Sequence, residues 1–372
     1  MKLIVFGLSV SSAWGNGHAT LWRGLIHALA AKGHSVTFYE RDTDYYASHR
    51  DCFGLPNGEL VLYSSFDEIR SAAAAELQRA DVGMVTSYCP DALAASELVL
   101  SSAVDIRAFY DLDTPITLNR LAQGEHVAYI GERGLRDFDI VLSYTGGPAL
   151  QQLQHVLGAR HVAPLYGAVD PQLHKPGALD PRYQADLSYL GTYAQERQAA
   201  LEQLFLAPAR ERPDLTFAIG GSQYPSDFAW APNIKYLWHV PPHEHSAFYC
   251  SARLNLNVTR APMAALGFCP SGRLFEAAAS GGPLISDGWP GLSQFYEPGL
   301  DLIVAQTSED VRNALDLSDA ELRAMSQRAR ERTLSEHTYE RRAAQLLDSL
   351  ENIAHAGTRN AEREAADTTR PV

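Results

Sequence analysis

Two stretches of the chain carry residue types that can bind and transform a small polar ligand. The first is Trp14-Gly15-Asn16-Gly17-His18-Ala19-Thr20, between an apolar run and a helical pattern. Gly15 and Gly17 let the backbone approach a ligand closely, and the free amides of a helix start favour anionic or polar groups. His18 lies in that loop. An imidazole of pKa about 6.5 with a carboxylate partner takes a proton from a hydroxyl at neutral pH. Asp111 and Asp113, 93 and 95 residues further on, end a later strand and are the carboxylates for such a pair. Binding a substrate, or capping the loop, is the competing role for His18. The same loop is one glycine short of a dinucleotide fingerprint, with Glu40 at the end of the second strand placed like a ribose-binding acid. Gly15 lies nine residues past Phe6, which is long for that tight turn. A loop kept glycine-rich for helix–sheet packing is the plainer alternative.

The second stretch is Arg260–Asp287, RAPMAALGFCPSGRLFEAAASGGPLISD. Pro270-Ser271-Gly272 reads as a loop, and Arg273-Leu274-Phe275-Glu276 opens a helix that stops at Gly281-Gly282-Pro283 before a strand. A helix start with Arg273 beside it suits a diphosphate, because dipole and guanidinium favour the same charge. Glu276, one turn in, can accept hydrogen bonds from vicinal hydroxyls; complementing the helix dipole is its other role. Asp111-Leu112-Asp113 spells D-x-D, and His239, His243 and His245 cluster in sequence. Neither is taken as a metal site, since the histidines have no cysteine or fourth ligand nearby and read as a solvated helix start.

These segments are carried by alternating short apolar runs and helical patterns. Strand candidates are 2–6, 35–39, 60–63, 82–86, 105–110, 138–144 and 161–165, then 186–190, 215–219, 253–258, 283–287 and 301–304. Helices fit 194–206, 243–252, 272–280, 307–315, 319–334 and 338–355. That alternation predicts parallel strands with crossover helices on both sheet faces. Gly167–Arg182, with three prolines and little periodicity, reads as an interdomain linker. The architecture expected is α/β, with two doubly wound Rossmann-like domains facing each other across a cleft, residues 1–168 and 183–337. Ala343, Leu346, Leu347, Leu350 and Ile353 form one apolar stripe, so the last helix, 338–356, is expected to cross back onto the first domain. The polar segment 357–372 is expected to be disordered.

The 372 residues match two domains by length, and 46% apolar with 20% charged residues exclude wholesale disorder. A net charge of −13 argues against a nucleic-acid partner, whose phosphates demand a basic face. An anionic ligand therefore needs a local positive cluster, for which Arg197, Arg260 and Arg273 are the candidates at strand carboxyl ends. Arg197 is alternatively an exposed helix arginine. Cys52, Cys89, Cys250 and Cys269 are scattered with no metal spacing, as in a reduced, cytoplasmic protein. No run is long enough to span a bilayer.

The run GNGHATLWRGLIHALAAKGHSVTFYE resembles the opening of GT-B glycosyltransferases. Arg260–Asp287, with Gly291-Leu292, Phe295–Gly299, Glu336–Tyr339 and Arg341-Arg342, resembles the C-terminal domain of CgeB-like, group 1-type members, as does Tyr189-Leu190-Gly191-Thr192-Tyr193 with Arg197. The resemblance implies a nucleotide-sugar donor in the second domain and an acceptor (small molecule, glycan or protein) near the first. Glu276 then holds the donor ribose, and Ser271, Gly272 and Arg273 lie at the diphosphate with Gly191. Tyr236–Pro241, including His239 and Val240, contacts the nucleobase, ordinary loop packing being the alternative. His18 matches the general base of several inverting members. No metal or other cofactor is implied, and UDP, GDP and dTDP are not distinguished. Phe268 stands eight residues before Glu276, where many retaining members have a second glutamate and inverting plant-type members a histidine. Stereochemistry is therefore not transferable. A nucleotide-sugar epimerase of the same fold, an NAD-dependent oxidoreductase using Gly15, Gly17 and Glu40, and a non-catalytic polysaccharide-binding protein are the rival readings.

Overall fold

The structure is a computed structural model that describes residues 1–368, with side chains described through residue 356. The chain divides into two compact units, Met1–Tyr166 with Glu340 onward, and Gly167–Tyr339.

The first unit is built on seven parallel strands: β1 (Lys2–Gly7), β2 (Ser35–Arg41), β3 (Glu59–Tyr63), β4 (Val82–Thr86), β5 (Ile106–Asp111), β6 (Ile140–Ser143) and β7 (Val162–Pro164). Their order is β3-β2-β1-β4-β5-β6-β7. Leu3 through Phe6 are wholly buried, which explains the unbroken apolar run: a strand covered on both faces has no polar side. Chain direction across the sheet reverses between β1 and β4, so the loops after these strands diverge and leave a crevice at their carboxyl ends. The helix Gly17–Ala31 starts there, capped by Asn16, whose side chain accepts the amide of His18.

The second unit repeats the plan with β8 (Ala185–Leu190), β9 (Phe217–Gly220), β10 (Ile234–Leu237), β11 (Ala252–Asn257), β12 (Leu284–Ser286) and β13 (Ile303–Val304). The order is β10-β9-β8-β11-β12-β13, again all parallel, with the reversal between β8 and β11. β10 is missing from the sequence-predicted strands and overlaps the expected nucleobase segment at Tyr236 and Leu237. It is an edge strand with half-exposed or exposed side chains, so it lacks an apolar run. The helix expected over 194–206 is instead a 3₁₀ turn, a short α segment and a π segment (Glu202–Leu206) that leads into Ala207–Glu211. Pro208 explains this, since it offers no N–H to the carbonyl four residues back.

Two further expectations change. The proline-rich Gly167–Arg182 is no free linker but belongs to the second unit. The backbone of Val169 pairs with that of His337 and Tyr339, and Asp180 N–H donates to Ser251 Oγ at 2.8 Å. The last helix runs from Tyr339 to Thr368, past Gly357 where disorder was expected. Alanine, glutamate and arginine in that stretch favour helix without an apolar face. Residues 369–372 of the expected tail lie outside the described residues. No described helix is long and apolar enough to cross a membrane.

In that last helix Ala343, Leu346 and Leu350 are fully buried and Leu347 nearly so, while Ile353 is half-exposed. The helix is counted with the first unit. Leu346→Ala should destabilise the protein by about 2–5 kcal/mol, the range for emptying a packed leucine site. Ile353→Ala should cost well under half of that. Equal melting temperatures for both variants and the parent chain would show that the stripe is not packed.

Candidate functional site

The carboxyl ends of β1, β4 and β5 carry the first group. Glu40, at the end of β2, is fully buried, and both its oxygens are occupied. Ser9 Oγ donates to Oε1 at 2.8 Å and Ser11 Oγ to the same oxygen at 2.6 Å. The amides of Val10 and Ser11 donate to Oε2 at 2.7 and 2.9 Å. Glu40 thus holds the loop after β1 and has no oxygen open to a ribose, which removes the residue on which the NAD-dependent reading rested. Gly15 has φ +59°, a left-handed conformation that favours glycine, whereas a Cβ at Gly17 would touch nothing. Gly17 therefore answers to no packing demand.

His18 Nε2 lies 3.9 Å from Asp113 Oδ2. Asp113 rather than Asp111 faces the imidazole. Asp111 is wholly buried and accepts the Asp113 amide at 3.1 Å, and burial pushes its carboxyl up to about 6. Its work is to shape the turn after β5. Tyr88 packs its ring 5.6 Å from that of His18 and takes a left-handed φ of +63°. Burial, then the charge of Asp113, pushes its hydroxyl far up, so it stays a neutral donor. The turn after β4 thus contributes Tyr88 to the surroundings of His18, a residue that no motif in the sequence singles out.

The second group surrounds the carboxyl ends of β8 and β11. Arg197, Arg260 and Arg273 all reach the segment 190–197. Arg273 donates Nε to the Leu190 carbonyl and Nη1 to Asn257 Oδ1 at 2.9 Å, and lies over the Tyr189 ring at 4.9 Å. Its Nη2 fills the space that a Cβ on Gly191 would need, 2.8 Å away. Arg197 Nη1 donates to the Thr192 carbonyl at 3.0 Å, while its buried Nε has no partner. Arg260 Nη2 pairs with Glu196 at 2.8 Å. Burial lowers the pKa of Arg197, and the neighbouring charges of Arg273 and Arg260 lower it further.

Beside them the helix Gly272–Ala279 begins. Ser271 caps it by accepting the Arg273 amide, and a Cβ on Gly272 would meet only Glu276 Oε1, at 3.9 Å. The amide end is therefore open, with one carboxylate oxygen turned toward it. Glu276 Oε2 accepts the Tyr249 hydroxyl at 3.2 Å and lies 3.5 Å from His245 Nδ1. Burial pushes this carboxyl up, but His245, His174 and Arg273 outweigh it and bring the pKa down to about 2. His174 comes from the segment expected to be a linker, and His245 from the expected solvated helix start; no spacing or motif links the two. Among the described residues, His174, His245 and Glu276 each place one ligating atom within 4.8 Å of the others. Of the expected nucleobase contacts, Val240 is buried, its carbonyl taken by His245 Nε2 at 3.2 Å, and His239 is half-exposed beside Trp238.

The fold is that of GT-B glycosyltransferases, two doubly wound parallel units in one chain. Sucrose-phosphate synthase from Thermosynechococcus elongatus superposes with a TM-score of 0.70 at 14% identity, covering 96% of this chain and 100% of that one. Anabaena HepE in complex with UDP and glucose gives 0.65 at 14% identity, covering 95% and 100%. The catalytic domain of starch synthase IV from Arabidopsis thaliana, bound to ADP and acarbose, gives 0.63 at 11% identity, covering 95% and 99%. Residues 197–348 match the family described as glycosyl transferase-like, a span from Arg197 into the last helix that includes Arg260, Arg273 and Glu276. No curated protein matches the chain by sequence.

A carboxyl with a folded pKa of about 2 against an ordinary 4.5 contributes stability that is present above pH 4.5 and lost as pH falls toward 2. Glu276→Gln should therefore lower the urea midpoint at pH 6, with the gap to the parent chain closing between about pH 4.5 and the folded pKa. A gap that is constant from pH 6 to pH 3 would show that the buried charge is not compensated in this way.

Proposed function

We propose that the protein transfers a sugar from a nucleoside-diphosphate sugar to an acceptor nucleophile, with the donor on the second unit and the acceptor near the loop Gly15–His18. One observation carries this reading. An open helix start, Arg197 with the charges of Arg260 and Arg273 beside it, and an ionised glutamate one turn in gather at the carboxyl ends of β8 and β11. A diphosphate answers the arginines and the helix amides together. Glu276 Oε1 is the acceptor for ribose hydroxyls, while Tyr249 keeps Oε2 in place. The family match over 197–348 and the nucleotide-bound neighbours support the same reading, with UDP in one and ADP in another.

In the reaction an acceptor O–H attacks the anomeric carbon. A bond forms from the acceptor oxygen, and the bond from that carbon to the diphosphate oxygen breaks. The acceptor proton passes to His18, whose imidazolium Asp113 stabilises. The departing diphosphate keeps the bonding electron pair, and its charge is met by the arginines and the helix start. Phe268 has no carboxylate to offer, so a covalent intermediate on that side chain is not part of the scheme.

Nucleoside diphosphates should raise the melting temperature of the full chain, and Glu276→Ala should abolish the rise. Absence of protection by UDP, GDP, dTDP and ADP alike would end the proposal. Gly272→Ala separates ligand space from packing. Its methyl enters open space, so the free protein should melt within a degree or so of the parent. Nucleotide protection should nevertheless shrink, and unchanged protection would place the diphosphate elsewhere. For the base, His18→Ala should lower kcat by roughly 10²–10⁴-fold with nucleotide protection intact. Mass-spectrometric transfer assays with a nucleotide-sugar panel provide the readout, and an undiminished rate would leave His18 no part in proton transfer.

A further inference from the structure

The side chains around Glu276 are arranged for more than a hydroxyl. His245 Nε2 lies 3.2 Å from the Val240 carbonyl. A carbonyl only accepts, so Nε2 carries the proton in that contact. In the neutral ring Nδ1 is then a bare lone pair, and it faces Glu276 Oε2 at 3.5 Å, an acceptor opposite an acceptor. His174 joins them from the proline-rich segment, its ring centroid 6.5 Å from that of His245. It is 7% exposed, and its Nδ1 is buried with no hydrogen-bond partner. One ligating atom from each of the three lies within 4.8 Å of the other two. With both rings neutral, three electron-pair donors thus converge, and a bound cation there takes the part that a protonated His245 otherwise plays toward Glu276.

We propose that His174, His245 and Glu276 form a binding site for a divalent transition metal of the zinc class. Two imidazoles and a carboxylate are the donor set that zinc accepts, with a further position left to water or another ligand. Calcium and magnesium, which prefer all-oxygen surroundings, do not fit it. The 3.5 Å between His245 Nδ1 and Glu276 Oε2 is close to the roughly 3.3 Å that separates two ligands of a tetrahedral ion with bonds of about 2.0 Å. The outer contacts also match. A metal-bound histidine commonly donates its other N–H to a carbonyl, as His245 does to Val240, and a ligating carboxylate is itself hydrogen-bonded, as Glu276 is by Tyr249 at 3.2 Å. If Glu276 also holds the donor ribose, which rests on the reading above, then metal and donor draw on one carboxylate and exclude each other. The site then works as a metal-sensitive brake on donor binding rather than as a catalytic metal centre.

The test uses the full, tag-free chain, stripped with a chelator and titrated with Co²⁺ while visible absorption is followed. One Co²⁺ per chain is expected, with the d–d bands of a four- or five-coordinate ion, displaced by Zn²⁺. His174→Ala and His245→Ala should each weaken binding by at least the roughly 10–100-fold that loss of an outer-shell partner costs. Absence of a stoichiometric band in the parent chain overturns the proposal without recourse to any variant. So does parent-like affinity in both variants, which would place the ion on other histidines. Variants are compared only where circular dichroism matches the parent. UDP protection with and without Zn²⁺ then separates the two readings. Loss of protection supports a shared Glu276. Stoichiometric Co²⁺ with UDP protection unchanged leaves the metal site standing and overturns the role of Glu276 in the donor site.

Discussion

Both units depend on strand direction. When every strand of a sheet is parallel, all carboxyl ends emerge on one edge, and each returns through a helix whose amide end lies on that same edge. Gly15, Gly17 and His18 follow β1, Tyr88 follows β4, and Asp113 follows β5. In the second unit Gly191 and Arg197 follow β8, while Arg260 and the Ser271–Glu276 turn follow β11. Residues up to 95 positions apart in sequence are thereby neighbours without any long-range pairing chosen for the purpose. The reversals between β1 and β4 and between β8 and β11 open the space into which these loops point.

Two glutamates show how the same side chain serves opposite ends in this setting. Glu40 is saturated by the Ser9–Ser11 loop, and its charge is absorbed by four donors from one short segment. That makes it a structural anchor, because a ligand hydroxyl would have to displace a bond already made in a buried place. Glu276 has one hydroxyl donor on Oε2, and cations rather than amides lower its pKa. A carboxylate held ionised by charges, with an oxygen left facing an opening, is available for a ligand. The difference is invisible in the residue type and follows from which loop wraps around it.

Much of the fold was legible because buried parallel strands are written as continuous apolar runs. β1 and β4 are such runs, and the sequence-predicted bounds match them almost to the residue. β10 was not, because an edge strand covered on few sides keeps Lys235 and Tyr236 exposed and carries no such mark. At the site, Ser271–Glu276 and the His18 loop were legible from local chemistry, glycine, capping serine and a charge one turn on. His174 was not, since a histidine among prolines says nothing of where its segment packs. Pairing of Val169 with Thr338 and its neighbours folds that segment into the second unit, and only the folded chain shows it. Asp111 and Asp113 were indistinguishable as partners for His18 until burial set one aside.

Net charge and local field diverge sharply in this protein. The chain carries −13, yet Arg260 and Arg273 both press on Arg197 around residues 190–197. Carbonyl oxygens of Leu190 and Thr192, the face of Tyr189 and the carboxylate of Glu196 are among the groups that hold them there. Clustered, partly buried cations raise the free energy of the ligand-free fold, since burial removes water that would screen them. An anion bound among them relieves that cost and adds its own attraction. On the proposed reading, nucleotide binding and stability of the second unit are therefore linked through the same three guanidinium groups. A small polyanion is therefore attracted by this local cluster even though the chain as a whole is acidic.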